Sequence, residues 1–214
     1  MALDCRPLPA FALDDPASVR EAFRKATPIP FRQAWLDTPE PDFAPGSVRT
    51  GWREDSLYVL ADLFDVDVFT RAEQHNERFW QLGDTFEMFL QPTGSQTYVE
   101  LHVAPNNRRL QLRFAKPPSA SDRDPFAAAL IDDQMFDSRT WVIPAEHGWR
   151  VFAHVRAAAV GHGPGPLPSS KWRFSFGRYD ATRGRTEPVI SSTAPHTVPA
   201  FHRPHEWGEL HFTS

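Results

Sequence analysis

Between residues 84 and 114, apolar and polar residues alternate in three short runs separated by turn-forming residues. Neighbouring side chains of a β-strand point to opposite faces, so alternate residues share a face. The alternation therefore predicts three strands with a common apolar face that belongs to the core. The residues predicted on that face are Phe86, Met88 and Leu90, then Val99, Leu101 and Val103, then Leu110, Leu112 and Phe114.

The opposite face of these runs carries many polar side chains, namely Glu87, Phe89, Tyr98, Glu100, His102, Gln111 and Arg113. A hairpin of the first two strands places Glu87 opposite either Glu100 or His102, and like charges at facing positions are unfavourable. We therefore expect Glu87 to face His102, which would raise the pKa of the imidazole. Such a pair could bind a hydroxyl group, or it could be a simple cross-strand pair on the surface.

Nine segments have strand-like patterns, and prolines cluster in the connections between them. The segments are 47–52, 56–64, 85–91, 97–103, 109–114, 138–143, 149–156, 171–179 and 208–213. Asp15 followed by Pro16 predicts one short capped helix. Short strands with turn signals between them predict an all-β fold, an antiparallel two-sheet β-sandwich that is jelly-roll-like, with at most one or two short helices. We expect residues 1–214 to form a single domain.

Composition and charge argue against several classes of function. The 214 residues have a net charge of −4 and no run of Lys or Arg longer than two, so no nucleic-acid surface is predicted. No stretch approaches the ~18 apolar residues of a membrane span. Cys5 is the only cysteine, so no disulfide within the chain is expected. The first twenty residues lack the apolar segment of a signal peptide, which leaves a cytoplasmic protein or a secreted one without its leader.

Several segments resemble, in the right order, carbohydrate-binding module family 9 and its sandwich relatives. "WQLGDTFEMFL" (80–90) is similar to the family's Trp, acidic spacer, Asp, two residues, Glu, any residue and Phe, and "YVELHVAPN" (98–106) to its following strand and turn. Further strands of the family are similar to "DSLYVLADLFDVDVF" (55–69), "GWRVFAHV" (148–155), "KWRFSFGRYD" (171–180) and "FHRPHEWGELHF" (201–212). The resemblance covers about residues 48–213 and leaves 1–47 as an N-terminal extension that packs on the domain.

The resemblance implies a sandwich that binds a mono- or oligosaccharide without cleaving it, between two aromatic walls with polar residues between them. Trp80 matches one wall, and Phe201 falls where the second wall, usually Trp, is expected. Glu87 matches an acidic ligand of the hydroxyl groups, and His102 falls where the family often has Arg. With the polar face, the predicted site is Trp80, Glu87, Tyr98, Glu100, His102, Arg113 and Phe201.

The family also often holds structural calcium. Asp65 and Asp67 in "FDVDVF" are the residues that could contribute to such a site. Carboxylate oxygens are the ligands that calcium prefers, although a dedicated site needs more than two of them. No other cofactor is predicted.

Three other functions remain open from the sequence. Glu87 and Glu100 could be the acid–base pair of a glycosidase, whose carboxylates lie about 5–10 Å apart, although Arg113 is a simpler partner for Glu100. A haem-binding sandwich would need a Met and a His at one iron, and the alternation places Met88 and His102 on opposite faces. An accessory module whose polar face binds a protein partner fits the same pattern.

Overall fold

The computed structural model describes residues 1–119, 121–131, 134–163 and 167–214. Its strands are β1 Ala2–Pro7, β2 Ile29–Pro30, β3 Gly46–Arg53, β4 Ser56–Phe64, β5 Thr85–Pro92, β6 Tyr98–Val103, β7 Arg109–Phe114, β8 Phe136–Ile143, β9 Gly148–Arg156, β10 Lys171–Asp180, β11 Val189–Ser192 and β12 Gly208–Phe212. The helices are short, α1 Pro16–Ala22 and α2 Pro125–Ala129, with 3-10 turns at Phe79–Gln81, Pro144–Glu146, Ala157–Val160 and Pro204–Glu206. The all-β class with few and short helices is confirmed.

The strands form two layers that face each other across the core. The first sheet has the order β7-β6-β5-β10-β12. β11 and β12 both pair with the same edge of β10, at different positions along it. The second sheet has the order β3-β4-β9-β8, with β2 on the other edge of β3. β1 joins the two layers, because Ala2–Cys5 pair with β12 and Arg6–Pro7 pair with β3.

The prediction of a strictly antiparallel two-sheet sandwich is therefore wrong in one respect. β1 runs parallel to both of its neighbours, which connects the layers into one mixed, nearly barrel-shaped sheet of twelve strands within the described residues. The segment "ALDCRP" has only a weak apolar alternation. Strand preference depends on the partners that a segment finds, so this strand was not recognisable from its own residues. Its position covers edges that would otherwise be open to pairing with other chains.

The main core lies between the two layers. Trp172, Phe174 and Phe176 of β10 are fully buried in it, as the strand pattern predicts. The apolar residues of β5 and β6 face the same core: Phe86, Met88, Leu90, Val99, Leu101 and Val103. Met88 thus lies in the core, whereas His102 faces outwards, and the expected separation of these two residues is confirmed.

The third alternating run has the opposite orientation to the one predicted. In the pairing of β6 with β7, Leu112 lies opposite Glu100, and Leu110 lies opposite His102. Facing residues share a face of the sheet, so these leucines lie with the polar residues, and Arg113 points the other way. A turn around Asn107, whose φ of 64° is left-handed, sets this register. A shift of one residue exchanges the faces of a strand, and the sequence alone did not fix the shift.

The outer face of the first sheet is not open to solvent. Loops cover it and form a second apolar cluster with the sheet residues, comprising Phe79, Phe89, Tyr98, Leu110, Leu112, Phe114, Phe201 and Trp207 among others. Glu87, Glu100 and His102 are therefore enclosed between a sheet and a layer of loops. This enclosure determines the character of the candidate site.

The N-terminal region also packs on the second sheet through α1. The side chain of Asp15 accepts a hydrogen bond from the Ala17 amide at 2.9 Å, which confirms the predicted cap. Val19 and Phe23 pack on Leu60 and Phe152 at the outer face of that sheet. None of the helices in the part of the chain that the structure describes is long and apolar enough to span a membrane.

Candidate functional site

Three ionisable side chains meet between the first sheet and its covering loops. Glu87 of β5 lies opposite His102 of β6, as predicted, and Glu100 lies two residues before His102 on the same face. The exposed fractions are 2% for Glu87, 4% for Glu100 and 0% for His102. We call these three residues the Glu–His cluster. Charged residues are seldom buried to this extent unless they are paired or bind a ligand.

The imidazole of His102 lies between the two carboxylates. Its Nε2 atom is 2.5 Å from Oε1 of Glu100 and 3.3 Å from Oε1 of Glu87. The second oxygen of Glu100 lies 3.3 Å from Nε2 of His202. Nδ1 of His202 in turn is hydrogen-bonded to the hydroxyl of Tyr98 at 2.7 Å. Tyr98 therefore belongs to the network, but it contacts Glu100 through His202.

Burial and the neighbouring charges shift the ionisation of the cluster. Burial raises the pKa of the Glu87 carboxyl to about 8, and the nearby Glu100 carboxylate adds to this effect. Burial alone would also raise the pKa of Glu100, but the charge and hydrogen bond of His102 outweigh it, so this pKa lies below its ordinary value. Burial lowers the pKa of His102, and the two carboxylates outweigh that effect, so its pKa is raised as predicted.

A groove opens beside the cluster, between the Trp80 segment and the end of β10. The Trp80 indole and the His102 ring pack edge-to-face, with 5.6 Å between centroids, while the indole stays partly exposed. Tyr179 reaches the groove from the face of β10 that also faces Glu87. The groove has a volume of about 430 Å³, and its lining includes Phe69, Arg71, Trp80, Tyr179, Arg185 and Glu187. We call it the Trp80 groove.

Two predicted site residues do not lie where they were expected. Phe201 is 5% exposed and packs edge-on against Phe89 and Tyr179, with centroid distances of 6.0 and 5.9 Å. A ring enclosed in this way cannot stack on a sugar, and the aromatic residues that line the groove beside Trp80 are Phe69 and Tyr179. Arg113 lies on the opposite face of its strand and donates to the Ala159 carbonyl, so it is not the partner of Glu100.

A buried chain of hydrogen bonds holds the loop of residues 193–207, which carries Phe201 and His202. Nε2 of His196 lies 3.3 Å from the Ser175 hydroxyl, and Nδ1 lies 3.0 Å from Oε2 of Glu206. The order Ser, His and Glu is that of a hydrolase triad. Ser175 and His196 are both 0% exposed, however, so a substrate cannot reach the hydroxyl. This network is an anchor that fixes the loop over the sheet.

The two aspartates considered for calcium do not converge on one point. The side chain of Asp67 pairs with Arg183, while Asp65 accepts a hydrogen bond from the Asp67 amide at 2.8 Å. Asp65 instead lies with Asp84 and Asp180 in a buried acidic group. The guanidinium of Arg178, itself 0% exposed, lies 3.1 Å from Asp180 and 3.7 Å from Asp65. Arg178 therefore already supplies a positive charge to this acidic group, and Asp67 does not belong to it.

Sequence reasoning missed several residues that shape this region. His202 and Tyr179 were present in the quoted motifs, directly after Phe201 and next to the last residue of "KWRFSFGRYD", but only the fold brings them to Glu100 and to the groove. The acidic group and Arg178 were missed because their members come from three separate segments, around Asp65, around Asp84 and at the end of β10. The Asp of the Trp-to-Glu motif, Asp84, was the available signal for that group.

No protein-family model matches the chain, and the search of curated proteins gives no match. Among solved structures, a proposed carbohydrate-binding protein from Bacteroides uniformis is similar over 99% of this chain and 98% of its own, with a TM-score of 0.77 and 18% identity. A carbohydrate-binding module family 9 from Caldicellulosiruptor kristjanssonii, in complex with cellotriose, is similar over 100% of this chain and 94% of its own, with a TM-score of 0.66 and 17% identity. Its complex with glucose gives the same TM-score and identity and covers 96% of that chain.

The similarity extends over the whole chain, including the N-terminal residues that lie outside the segments resembling the family in sequence. At these identities it is a similarity of fold. The two-layer architecture is thus one that other proteins share, and this chain has the fold of carbohydrate-binding module family 9.

Proposed function

We propose that this protein binds a carbohydrate, without cleaving it, in the Trp80 groove. The observation that carries the proposal is a partly exposed indole and a tyrosine that line one groove with charged and amide side chains beside them. The sugar complexes of family 9 modules with the same fold support it. The volume of about 430 Å³ lies within the range of small-ligand sites.

Stacking on Trp80 would provide the apolar part of the interaction. The indole is held by edge contacts with His102 and with Phe126, at centroid distances of 5.6 and 5.7 Å. A ring fixed in this way loses little conformational freedom when it binds a ligand, which favours binding. A contact of one sugar face with the indole contributes about 1 kcal/mol, by analogy with other aromatic contacts.

The hydroxyl groups of the sugar would bind to the polar side chains of the groove. Arg71, Gln81 and Glu187 offer donors and acceptors at its wall. Each hydrogen bond contributes about 1 kcal/mol after desolvation. Since association itself has an entropic cost, we expect dissociation constants between about micromolar and millimolar.

The enclosed carboxylates support binding rather than hydrolysis. Glu87 and Glu100 are the pair that a glycosidase would need, but both are buried and His102 lies between them. An acid catalyst must reach the glycosidic oxygen, and a nucleophile or a water molecule must reach the anomeric carbon. We therefore assign the cluster to the support of the groove and of His202.

The test is a titration of intrinsic Trp fluorescence and of heat against glucose, cello-oligosaccharides, xylo-oligosaccharides and uronic acids. We expect a weak response to at least one of these sugars. Trp80→Ala should weaken binding at least about tenfold, the equivalent of ~1.4 kcal/mol. The matched control is Trp141→Ala, because Trp141 is also partly exposed but lies on β8 of the second sheet.

Three outcomes would overturn parts of the proposal. Absence of binding across the panel would leave a protein partner as the better interpretation of the groove. Equal binding by Trp80→Ala and the parent, with Trp141→Ala also unchanged, would move the site elsewhere. Release of new reducing ends from the oligosaccharides, abolished in Glu87→Gln, would contradict the non-catalytic assignment.

A further inference from the structure

The Glu–His cluster contains a carboxylate with no evident reason to be buried. Glu87 is 2% exposed, and its carboxylate accepts no hydrogen bond from the residues that the structure describes. Its contact with Nε2 of His102 is 3.3 Å long, and that nitrogen is already 2.5 Å from Glu100. Such a carboxylate must either keep a proton, as its raised pKa allows, or gain a cationic partner, and a metal ion would supply that partner.

The donor atoms of the cluster have the spacing of a metal site. One oxygen from each glutamate and one nitrogen of His102 all lie within 4.8 Å of one another. Around a tetrahedral ion with ligands at ~2.0–2.1 Å, neighbouring donor atoms are about 3.3 Å apart. The distance between Oε1 of Glu87 and Nε2 of His102 is 3.3 Å, which equals this separation. Oε1 of Glu100 is 2.5 Å from the same nitrogen, and a small movement of the Glu100 side chain would lengthen this distance to the same value.

The charges around the cluster also suit a divalent cation. Once a metal ion displaces their protons, the two carboxylates and the imidazole carry two negative charges, which a divalent ion neutralises. The other buried acidic group, formed by Asp65, Asp84 and Asp180, contains the guanidinium of Arg178 within 3.1 Å of Asp180. The described residues around the Glu–His cluster include one more basic side chain besides His102. This is His202, whose Nε2 lies 3.3 Å from Oε2 of Glu100.

We propose that Glu87, Glu100 and His102 form a binding site for a divalent first-row ion of the Zn²⁺ type. One imidazole and two carboxylates are ligands that Zn²⁺ accepts, whereas Ca²⁺ prefers oxygen alone. Three protein ligands leave one coordination position for water or another donor. Metal ligands are commonly oriented by outer hydrogen bonds, and His202, held by Tyr98, would orient the second oxygen of Glu100 in this way.

This proposal goes beyond sugar binding, and its experiment uses no sugar. The full chain is purified without a His tag, stripped with a chelator and titrated with Zn²⁺ by calorimetry and by thermal unfolding. We expect one ion to bind per chain and to raise the melting temperature, since an ion that binds only the folded state stabilises it. Co²⁺ in place of Zn²⁺ should give visible absorption bands with nitrogen and oxygen ligation.

Glu87→Gln keeps the size of the side chain and removes a ligand charge, so we expect Zn²⁺ affinity to fall at least about tenfold. The matched control is Asp65→Asn, which removes a buried carboxylate from the group that contains Arg178 and should leave Zn²⁺ affinity unchanged. Circular dichroism without metal checks that both variants are folded. If Glu87→Gln does not fold, the Co²⁺ spectrum of the parent still shows whether the protein binds a metal ion through nitrogen and oxygen ligands.

The proposal is wrong if the stripped parent protein binds neither Zn²⁺ nor Co²⁺. It is also wrong if a folded Glu87→Gln binds Zn²⁺ as tightly as the parent, because the ion would then lie elsewhere. Neither result bears on the sugar site, which the Trp80→Ala experiment tests separately.

Discussion

At the scale of single residues, the buried acidic group shows how one guanidinium holds several carboxylates. Both oxygens of Asp84 accept backbone amides, from Phe69 at 2.7 Å and from Ala181 at 2.8 Å. Burial, with the Asp65 charge adding to it, raises the pKa of Asp84 to about 8, and burial raises that of Asp180 to about 6. Arg178 balances one negative charge, so the group retains protons at neutral pH.

These raised values predict a pH dependence of stability. A carboxyl whose pKa is higher in the folded than in the unfolded state binds its proton more tightly when folded. The free energy of unfolding should therefore decrease as pH rises from about 4 to 8, by up to about 1.4 kcal/mol per pH unit for each proton. Denaturant titrations at pH 6, 7 and 8 measure this decrease.

Asp65→Asn should make the free energy of unfolding decrease less between pH 6 and pH 8 than it does in the parent protein. The substitution removes the Asp65 charge that helps to raise the pKa of Asp84. Asp67→Asn is the matched control, since Asp67 pairs with Arg183 outside the acidic group. A pH profile of Asp65→Asn that runs parallel to the parent's would refute this account of the group.

At the scale of elements, β10 connects the core with the candidate site. One edge of β10 pairs with β5 along nearly its whole length, and the other pairs with β12 and β11. Its inward residues fill the core, while Gly177 faces Glu87 on the other side. A Cβ at Gly177 would lie 2.9 Å from ring atoms of Phe201 and 3.0 Å from Oε2 of Glu87. The glycine therefore allows Phe201 to close over the strand.

Gly177→Ala should displace Phe201 and the loop that carries it. Overpacking of this kind destabilises a protein by about 1–3 kcal/mol, which denaturant unfolding would measure. Gly163→Ala is the control, because a Cβ there meets no atom of the described residues within 4 Å, and we expect a change below about 0.5 kcal/mol. Equal stability of the two variants would mean that Phe201 is not held against the strand.

At the scale of the whole molecule, β1 closes the architecture. Its first residues extend the first sheet beyond β12, and its last residues pair with β3 of the second sheet. Cys5 is 0% exposed, and burial raises the pKa of its thiol to about 12, so the thiol is an inert part of the core. Both layers therefore depend on the same six residues.

Removal of residues 1–7 should destabilise the whole molecule rather than a local segment. The loss of two ladders and of the buried Cys5 should lower the free energy of unfolding by on the order of 3 kcal/mol or more. The control is the double variant Asp4→Ala and Arg6→Ala, whose exposed side chains should matter little. If the truncated chain unfolds at the denaturant concentration of the parent, β1 is not a closing element.

The sequence by itself determined the features that depend on local pattern. Alternation identified all nine predicted strands, and the charge argument placed Glu87 opposite His102, because like charges disfavour the other register. The Asp15–Pro16 cap follows from the chemistry of helix ends. The resemblance in motif order indicated the fold that the structural similarities now support.

Only the tertiary structure decided which faces are covered and which residues meet. β1, β2 and β11 are strands because partners from distant parts of the chain pair with them, and their own residues carry little signal. The turn at Asn107 exchanged the faces of β7 and moved Arg113 away from Glu100. Loops cover the polar face, and this cover buries Phe201 and the Glu–His cluster. Trp80 and Tyr179 remain together at the groove. The sequence could not decide this, because burial depends on contacts across the whole chain rather than on neighbours in sequence.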